Sequence, residues 1–175
     1  MRRLVAAAAV ALLAGCASAP SPRPAPRPQT GRPVRPIAGV ISPATFVSQA
    51  ASIDLFVVKS CELAPLRSAT PALRRAAEQL LADHQGTASQ LSFAGRRLDL
   101  LPSASLLPQH QAMLDELAAS SDFDRAFVRL QRAVHGQALA LHSDYARRGS
   151  SPTLRPVAAN AAAIEQRHLA LLNRL

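Results

Sequence analysis

The sequence predicts an all-α protein whose core is a bundle of four long helices. The chain is rich in Ala, Leu and Arg, holds only 7 Gly and no Trp, and has 3% aromatic residues. This composition favours helices over strands. Apolar residues also recur at helical spacing in four segments, and no stretch alternates between apolar and polar residues as a half-buried strand does.

The N-terminus predicts a lipoprotein signal peptide over residues 1–15. A positively charged start is followed by the apolar run 4–13, which is too short to span a bilayer. The LAGC sequence that follows resembles the bacterial lipobox, which implies that Cys16 is lipidated. Residue 18 is Ser rather than the Asp of inner-membrane lipoproteins, and this predicts an outer-membrane anchor with the protein on the periplasmic face. An ordinary secretory signal is the alternative.

Residues 16–36 predict an extended tether behind the lipidated cysteine. Within it, the stretch 17–36 holds 7 of the 14 prolines and can neither form a helix nor bury a core. The remaining domain, 37–175, carries 14 basic and 11 acidic residues, a net charge of +3. This balance, with few aromatics, argues against nucleic-acid binding. The predicted partners are the membrane, through the lipid anchor, and an envelope protein or peptidoglycan.

Four long helices are predicted within residues 37–175. Pro65 is expected to end or kink the first helix, and Gly149 to end the third. Each helix begins at an N-cap residue, which in three cases precedes a proline at the first helical position: Ser42, Thr70, Asp122 and Ser151.

The connections between the helices set the predicted topology. Only a few residues join helices one and two, and three and four, and short loops join antiparallel neighbours. Residues 98–121 form a longer connection, with a short helix starting near Pro108. Two hairpins joined by one such crossover make the ferritin-like arrangement. An up-and-down bundle with a loose loop is the alternative.

Several motifs in residues 43–175 resemble a known family. The segments, in order, are FVSQAAS, LAPLRSATPALRRAAEQLLADH, QHQAMLDEL, FDRAFVRLQRAVHGQALAL and RHLALL. Together they resemble the bacterial domain of unknown function 4142. The resemblance implies a ferritin-like helical bundle in a predicted outer-membrane protein, and it implies no particular activity.

Three histidines and two carboxylates are candidate metal ligands. Glu165 and His168 form a Glu-x-x-His pair on one face of the fourth helix. His84 lies on the apolar face of the second helix. His135 lies at the edge of the apolar face of the third helix. Counting from the hairpin turns at ~1.5 Å per residue brings Asp54 level with His84, and His135 level with Glu165. We therefore predict a mid-bundle site formed by these five residues.

The pattern departs from a full di-metal centre, which needs a Glu-x-x-His pair on each of two helices. Leu81 stands where a second pair requires its Glu, and Val57 stands where the family commonly carries an acid. The set therefore predicts a single Zn, Cu or Fe ion. The alternative is a metal-free polar network that fixes helix register. Asp83 is expected to be solvated or to pair with an arginine, while His110 and His142 have no comparable placement.

The sequence supports no other chemistry, and it assigns no catalytic residue. It contains neither a Gly-rich phosphate loop nor a nucleophile elbow. Cys61 lies on an apolar helix face and is interpreted as a core residue. The sequence therefore predicts a non-enzymatic binding or scaffold module of the envelope. The alternative is a metal-binding or redox protein that uses the His/carboxylate cluster.

Overall fold

A computed structural model describes residue 39 and residues 41–175, and it confirms the all-α prediction. This part of the chain contains five helices and no strand, and none of these helices is both long and apolar enough to cross a membrane. The predicted signal peptide, the Cys16 lipidation site and the tether lie outside the described residues. The helices are α1 Pro43–Arg67, α2 Pro71–Arg96, α3 Pro108–Ala119, α4 Phe123–Arg148 and α5 Leu154–Leu172.

The helices form the two predicted hairpins and the crossover between them. α1 packs chiefly on α2, and α4 packs chiefly on α5. Contacts of α2 with α5 and of α1 with α4 close the bundle, while the short α3 packs against α1 and α4. Residues far apart in the sequence therefore face each other across the bundle axis.

The helix ends agree with most of the predicted signals. Ser42 and Asp122 each accept a backbone N–H of the first turn, as N-caps do. Thr70 does not, because its hydroxyl donates to a carboxylate of α4 instead. α1 also passes Pro65 and ends at Arg67. A proline in the last turn removes only one helical hydrogen bond, so the helix can continue briefly beyond it.

The core consists of two apolar clusters with a polar layer between them. One cluster surrounds Phe56, Leu80 and Phe127, and the other surrounds Phe46 and Tyr145. Buried polar groups cost free energy unless they are paired, so the layer between the clusters needs an explanation. Its buried members are Asp54, His84, Thr87, His135, His142, Glu165 and His168.

Candidate metal centre

Four of the five predicted ligands meet inside the polar layer. His84 comes from α2, His135 from α4, and Glu165 and His168 from α5. One potential ligand atom from each residue lies within 4.8 Å of those of the other three. All four residues are at most 1% exposed, so the site lies inside the protein and away from bulk water.

The outer nitrogen of His84 is held by Asp54 of α1. The distance from His84 Nδ1 to Asp54 Oδ1 is 2.8 Å, and the Thr87 hydroxyl donates to the same oxygen at 2.8 Å. An ionised carboxylate only accepts hydrogen bonds, so Nδ1 carries the proton in the neutral imidazole. The lone pair of His84 is therefore on Nε2.

The same reasoning assigns the tautomers of the other two histidines. His135 Nδ1 donates to the Gln131 carbonyl at 2.7 Å, which leaves its lone pair on Nε2. His168 Nε2 donates to Asp83 Oδ2 at 2.9 Å. The lone pair of His168 is then on Nδ1, which is buried and has no hydrogen-bond partner.

The inner side of the cluster contains acceptors without donors. His84 Nε2 and His135 Nε2 are 3.2 Å apart, although both carry lone pairs in the neutral tautomers. Both carboxylate oxygens of Glu165 are buried without a hydrogen-bond partner. Oε2 lies 3.7 Å from His135 Nε2, and Oε1 lies 4.0 Å from His84 Nε2. Such a set needs a proton or a cation at its centre.

Burial and charge shift the protonation of these groups in opposite directions. Burial lowers the pKa of His84, but the hydrogen bond and charge of Asp54, together with the charges of Glu165 and Asp83, outweigh it and raise that pKa above its ordinary value. Burial raises the pKa of Glu165 to about 7. Burial, followed by the charge of His84, holds the pKa of His135 well below its ordinary range. Near neutral pH the cluster thus contains displaceable protons, whose place a metal ion can take.

Asp54 lies beside His84, as its predicted height implies, but it is not among the residues whose ligand atoms converge. The other four residues converge, while the Oδ1 atom of Asp54 contacts the outer nitrogen of His84. From there the carboxylate orients the imidazole and raises its basicity, which is the usual function of a carboxylate behind a metal-binding histidine.

Sequence reasoning missed two partners of the cluster. The sequence predicts that Asp83 is solvated or pairs with an arginine, but it accepts the outer N–H of His168 across the α2–α5 contact. The Gln131 carbonyl is the partner of His135. A helical pattern signals neither contact, because each depends on how one helix is rotated against another or on a side-chain rotamer.

His142 is also close to the centre, although no role is predicted for it from the sequence. Its Nε2 lies 4.0 Å from Glu165 Oε1, and its Nδ1 is buried without a partner. The ring packs edge-on against Phe46. Burial lowers its pKa to about 4, so His142 is neutral at physiological pH. A signal was present, because His142 follows His135 by seven residues, or about two helical turns.

Two solved structures are similar to this fold. A structure described as "CopM in the Cu(II)-bound form" is 17% identical with a TM-score of 0.66, covering 77% of this chain and 95% of that chain. A structure described as "CopM in the Cu(I)-bound form" is 15% identical with a TM-score of 0.64, covering 77% of this chain and 94% of that chain. At these identities the similarity shows the fold alone. A comparison with curated protein sequences finds no match.

The family resemblance of the short sequence motifs is confirmed over most of the chain. The family described as "Domain of unknown function (DUF4142)" matches residues 32–175. This range includes all five helices and every residue of the polar layer. The chain belongs to the DUF4142 family.

Proposed function

We propose that this protein binds one transition-metal ion, Cu(II) foremost, at His84, His135, His168 and Glu165. One observation carries the proposal. Each histidine donates its outer N–H to an acceptor, so three buried lone pairs remain beside a carboxylate that has no donor. Metal-binding histidines are held in this way. The geometry of the site therefore supports the alternative of a metal-binding protein. The envelope scaffold module that the sequence predicts stays a prediction.

The donor set consists of nitrogen and oxygen atoms without a thiolate, and it suits Cu(II). Three imidazole nitrogens and one carboxylate oxygen bind both Cu(II) and Zn(II), and Cu(II) binds such sites more tightly. Cys61 is not among the clustered residues, and burial raises the pKa of its thiol to about 12, so it supplies no thiolate. The two CopM structures are of copper-bound forms, which supports the choice of copper.

The surroundings of the ligands fit a protein that holds an ion rather than one that transforms a substrate. Asp54, Asp83 and the Gln131 carbonyl fix the ring orientations before any ion arrives. The ion would supply a positively charged partner for the buried Glu165 carboxylate, which has no hydrogen-bond donor. Since the four ligands are at most 1% exposed, we propose a non-enzymatic role in binding copper.

We further propose that the protein acts at the periplasmic face of the outer membrane, anchored through Cys16. The proposal is supported by the LAGC motif after the apolar run and by Ser18. Labelling cells with a fatty-acid analogue, followed by membrane fractionation, tests it. The wild type should carry label in the outer-membrane fraction, and Cys16→Ala should lose both the label and the membrane association. An unlabelled wild-type protein would contradict the anchor.

Metal titration tests the proposed function directly. Metal-free protein is mixed with Cu(II) or Zn(II), bound metal is counted by elemental analysis, and Tm is followed by circular dichroism. We expect one equivalent of Cu(II), with stabilisation of about 2.7 kcal/mol when free metal is at 100 times Kd.

The variants His84→Ala and His168→Ala should lose stoichiometric Cu(II) binding. His110→Ala is the matched control, because His110 is an equally buried histidine outside the cluster and its loss should leave the stoichiometry at one. The metal-site proposal is wrong if the wild type binds no stoichiometric metal. It is also wrong if His84→Ala binds as the wild type does.

A further inference from the structure

One hydrogen bond connects the enclosed ligands with the protein surface. The side chain of Asp83 is 36% exposed, whereas that of His168, to which it is bonded at 2.9 Å, is fully buried. The outer partners of the other two histidines are less accessible, since the Asp54 side chain is 5% exposed and Gln131 is fully buried. Asp83 is therefore the partner of the centre that an ion in solution reaches first.

His168 is also held less firmly than the other two histidines. The carboxylate behind His84 is itself fixed by the Thr87 hydroxyl, and the acceptor behind His135 is a helix carbonyl. Among the three, His168 depends on a partly exposed side chain, for which water competes. It lies where α5 meets α2, a contact less extensive than those within the two hairpins. The hydrogen bond that orients its ring is therefore the most accessible of the three.

We propose that aquated divalent cations reach the centre between α2 and α5, where Asp83 captures them and His168 swings out to carry them inward. The proposal rests on the proposed copper-binding function. Each step is a ligand substitution, in which the ion exchanges water first for an Asp83 oxygen and then for an imidazole nitrogen. No electron is transferred. Once the ion is inside, the hydrogen bond between Asp83 and His168 forms again and closes the route.

A groove beside α1 offers a rival route. It has a volume of about 360 Å³ and reaches Asp54. However, Leu55, Val58 and Leu91 are among its lining residues, so an aquated cation would lose water there with little compensation. The side chain of Asp54 is also only 5% exposed, against 36% for that of Asp83. Exposure therefore favours the Asp83 side.

The loading rate tests the access route. Metal-free, full-length protein is mixed with aquated Cu(II) in a stopped-flow instrument at low ionic strength, and the absorbance of the copper centre is recorded. Asp83→Asn keeps an acceptor for the His168 N–H but removes the charge. We expect it to load about tenfold more slowly and with a weaker dependence on salt, as loss of electrostatic steering predicts. Asp83→Glu should recover most of the rate.

Asp115→Asn is the matched control. Asp115 is an exposed carboxylate on α3 that accepts a hydrogen bond from the Gln111 amide at 2.8 Å, so the variant loses the same charge far from α2 and α5. It should load at the wild-type rate.

Two results would overturn the proposed route while leaving the metal site intact. One is wild-type loading by Asp83→Asn in a protein that still binds one equivalent of Cu(II). The other is a slowing of loading in Asp54→Asn that is as large as the slowing in Asp83→Asn or larger, which would indicate the groove. If the wild type takes up no Cu(II) at all, both the copper-binding function and the route are wrong.

Discussion

Two buried histidine networks in this molecule differ in how completely their hydrogen bonds are satisfied. At the start of α3, the Ser52 hydroxyl accepts the Leu107 N–H at 2.8 Å and lies 2.7 Å from His110 Nδ1. Its own proton is therefore available to His110, and the serine bonds in both directions. At the candidate metal centre, the inner nitrogens of the neutral tautomers face each other and a carboxylate without any donor.

The difference shows that burial alone does not identify a functional histidine. His110 and His84 are both almost fully buried. The first fastens the crossover to α1, because its network contains matched donors and acceptors. The second belongs to a set of unmatched lone pairs, and buried polar groups without partners call for an explanation such as a ligand. The direction of the lone pairs distinguishes a structural contact from a candidate binding site.

Replacing Glu165 by Gln should have the largest effect, because it supplies hydrogen-bond donors to the network that has none. The amide is neutral and its NH₂ group donates hydrogen bonds, so the variant supplies the donors that the centre lacks. We expect metal-free Glu165→Gln to be more stable than the metal-free wild type by about 3 kcal/mol at pH 7.5. It should also lose the increase in Tm on addition of Cu(II). Urea unfolding with and without Cu(II) measures both effects.

The same variant tests the pH dependence that Glu165 contributes to stability. The pKa of this carboxyl is about 7 in the folded protein, against an ordinary value of 4.5. Between these values the folded state holds a proton that the unfolded state releases, so the metal-free wild type loses stability relative to Glu165→Gln as pH rises from 4.5 to 7. Above pH 7 the difference should be constant. A difference that grew as pH fell would contradict this assignment.

Replacing Asp54 by Asn should have an intermediate effect and should define what Asp54 does. The amide oxygen still accepts the His84 N–H, but the charge behind the imidazole is lost. Removal of such a supporting group typically costs 10- to 100-fold in metal affinity, and we expect a loss of about that size. Competition with a copper chelator measures it. A loss as complete as that in His84→Ala would instead indicate that Asp54 is itself a ligand, as the sequence predicts.

Replacing Ser52 by Ala should have the smallest effect, and only on stability. The change leaves the Leu107 N–H and one His110 nitrogen without their partner. We expect a loss of about 1–2 kcal/mol in the free energy of unfolding, measured with urea. Copper affinity should equal that of the wild type. Weaker copper binding would show that the two networks are coupled.

Much of the architecture could be predicted from the sequence, because it depends on local rules. Composition and helical periodicity gave the all-α fold, and N-cap residues gave most helix starts. Short and long connections gave two hairpins and a crossover. Counting residues from the turns placed His84 level with Asp54, His135 level with Glu165, and His168 one turn further along, because the rise per residue of a helix is constant. His84, His135, Glu165 and His168 converge in the structure.

Only the tertiary structure decided how these residues are connected. Asp83 precedes His84 of the apolar face by one position, about 100° around the helix, and the sequence alone predicted it to be solvated or paired with an arginine. The packing of α5 against α2 turns that position toward His168. Asp54 is at the predicted height but contacts the outer edge of His84. Helical periodicity determines the face and height of a residue, whereas helix rotation and side-chain rotamers determine the hydrogen-bond partners and hence the direction of every free lone pair.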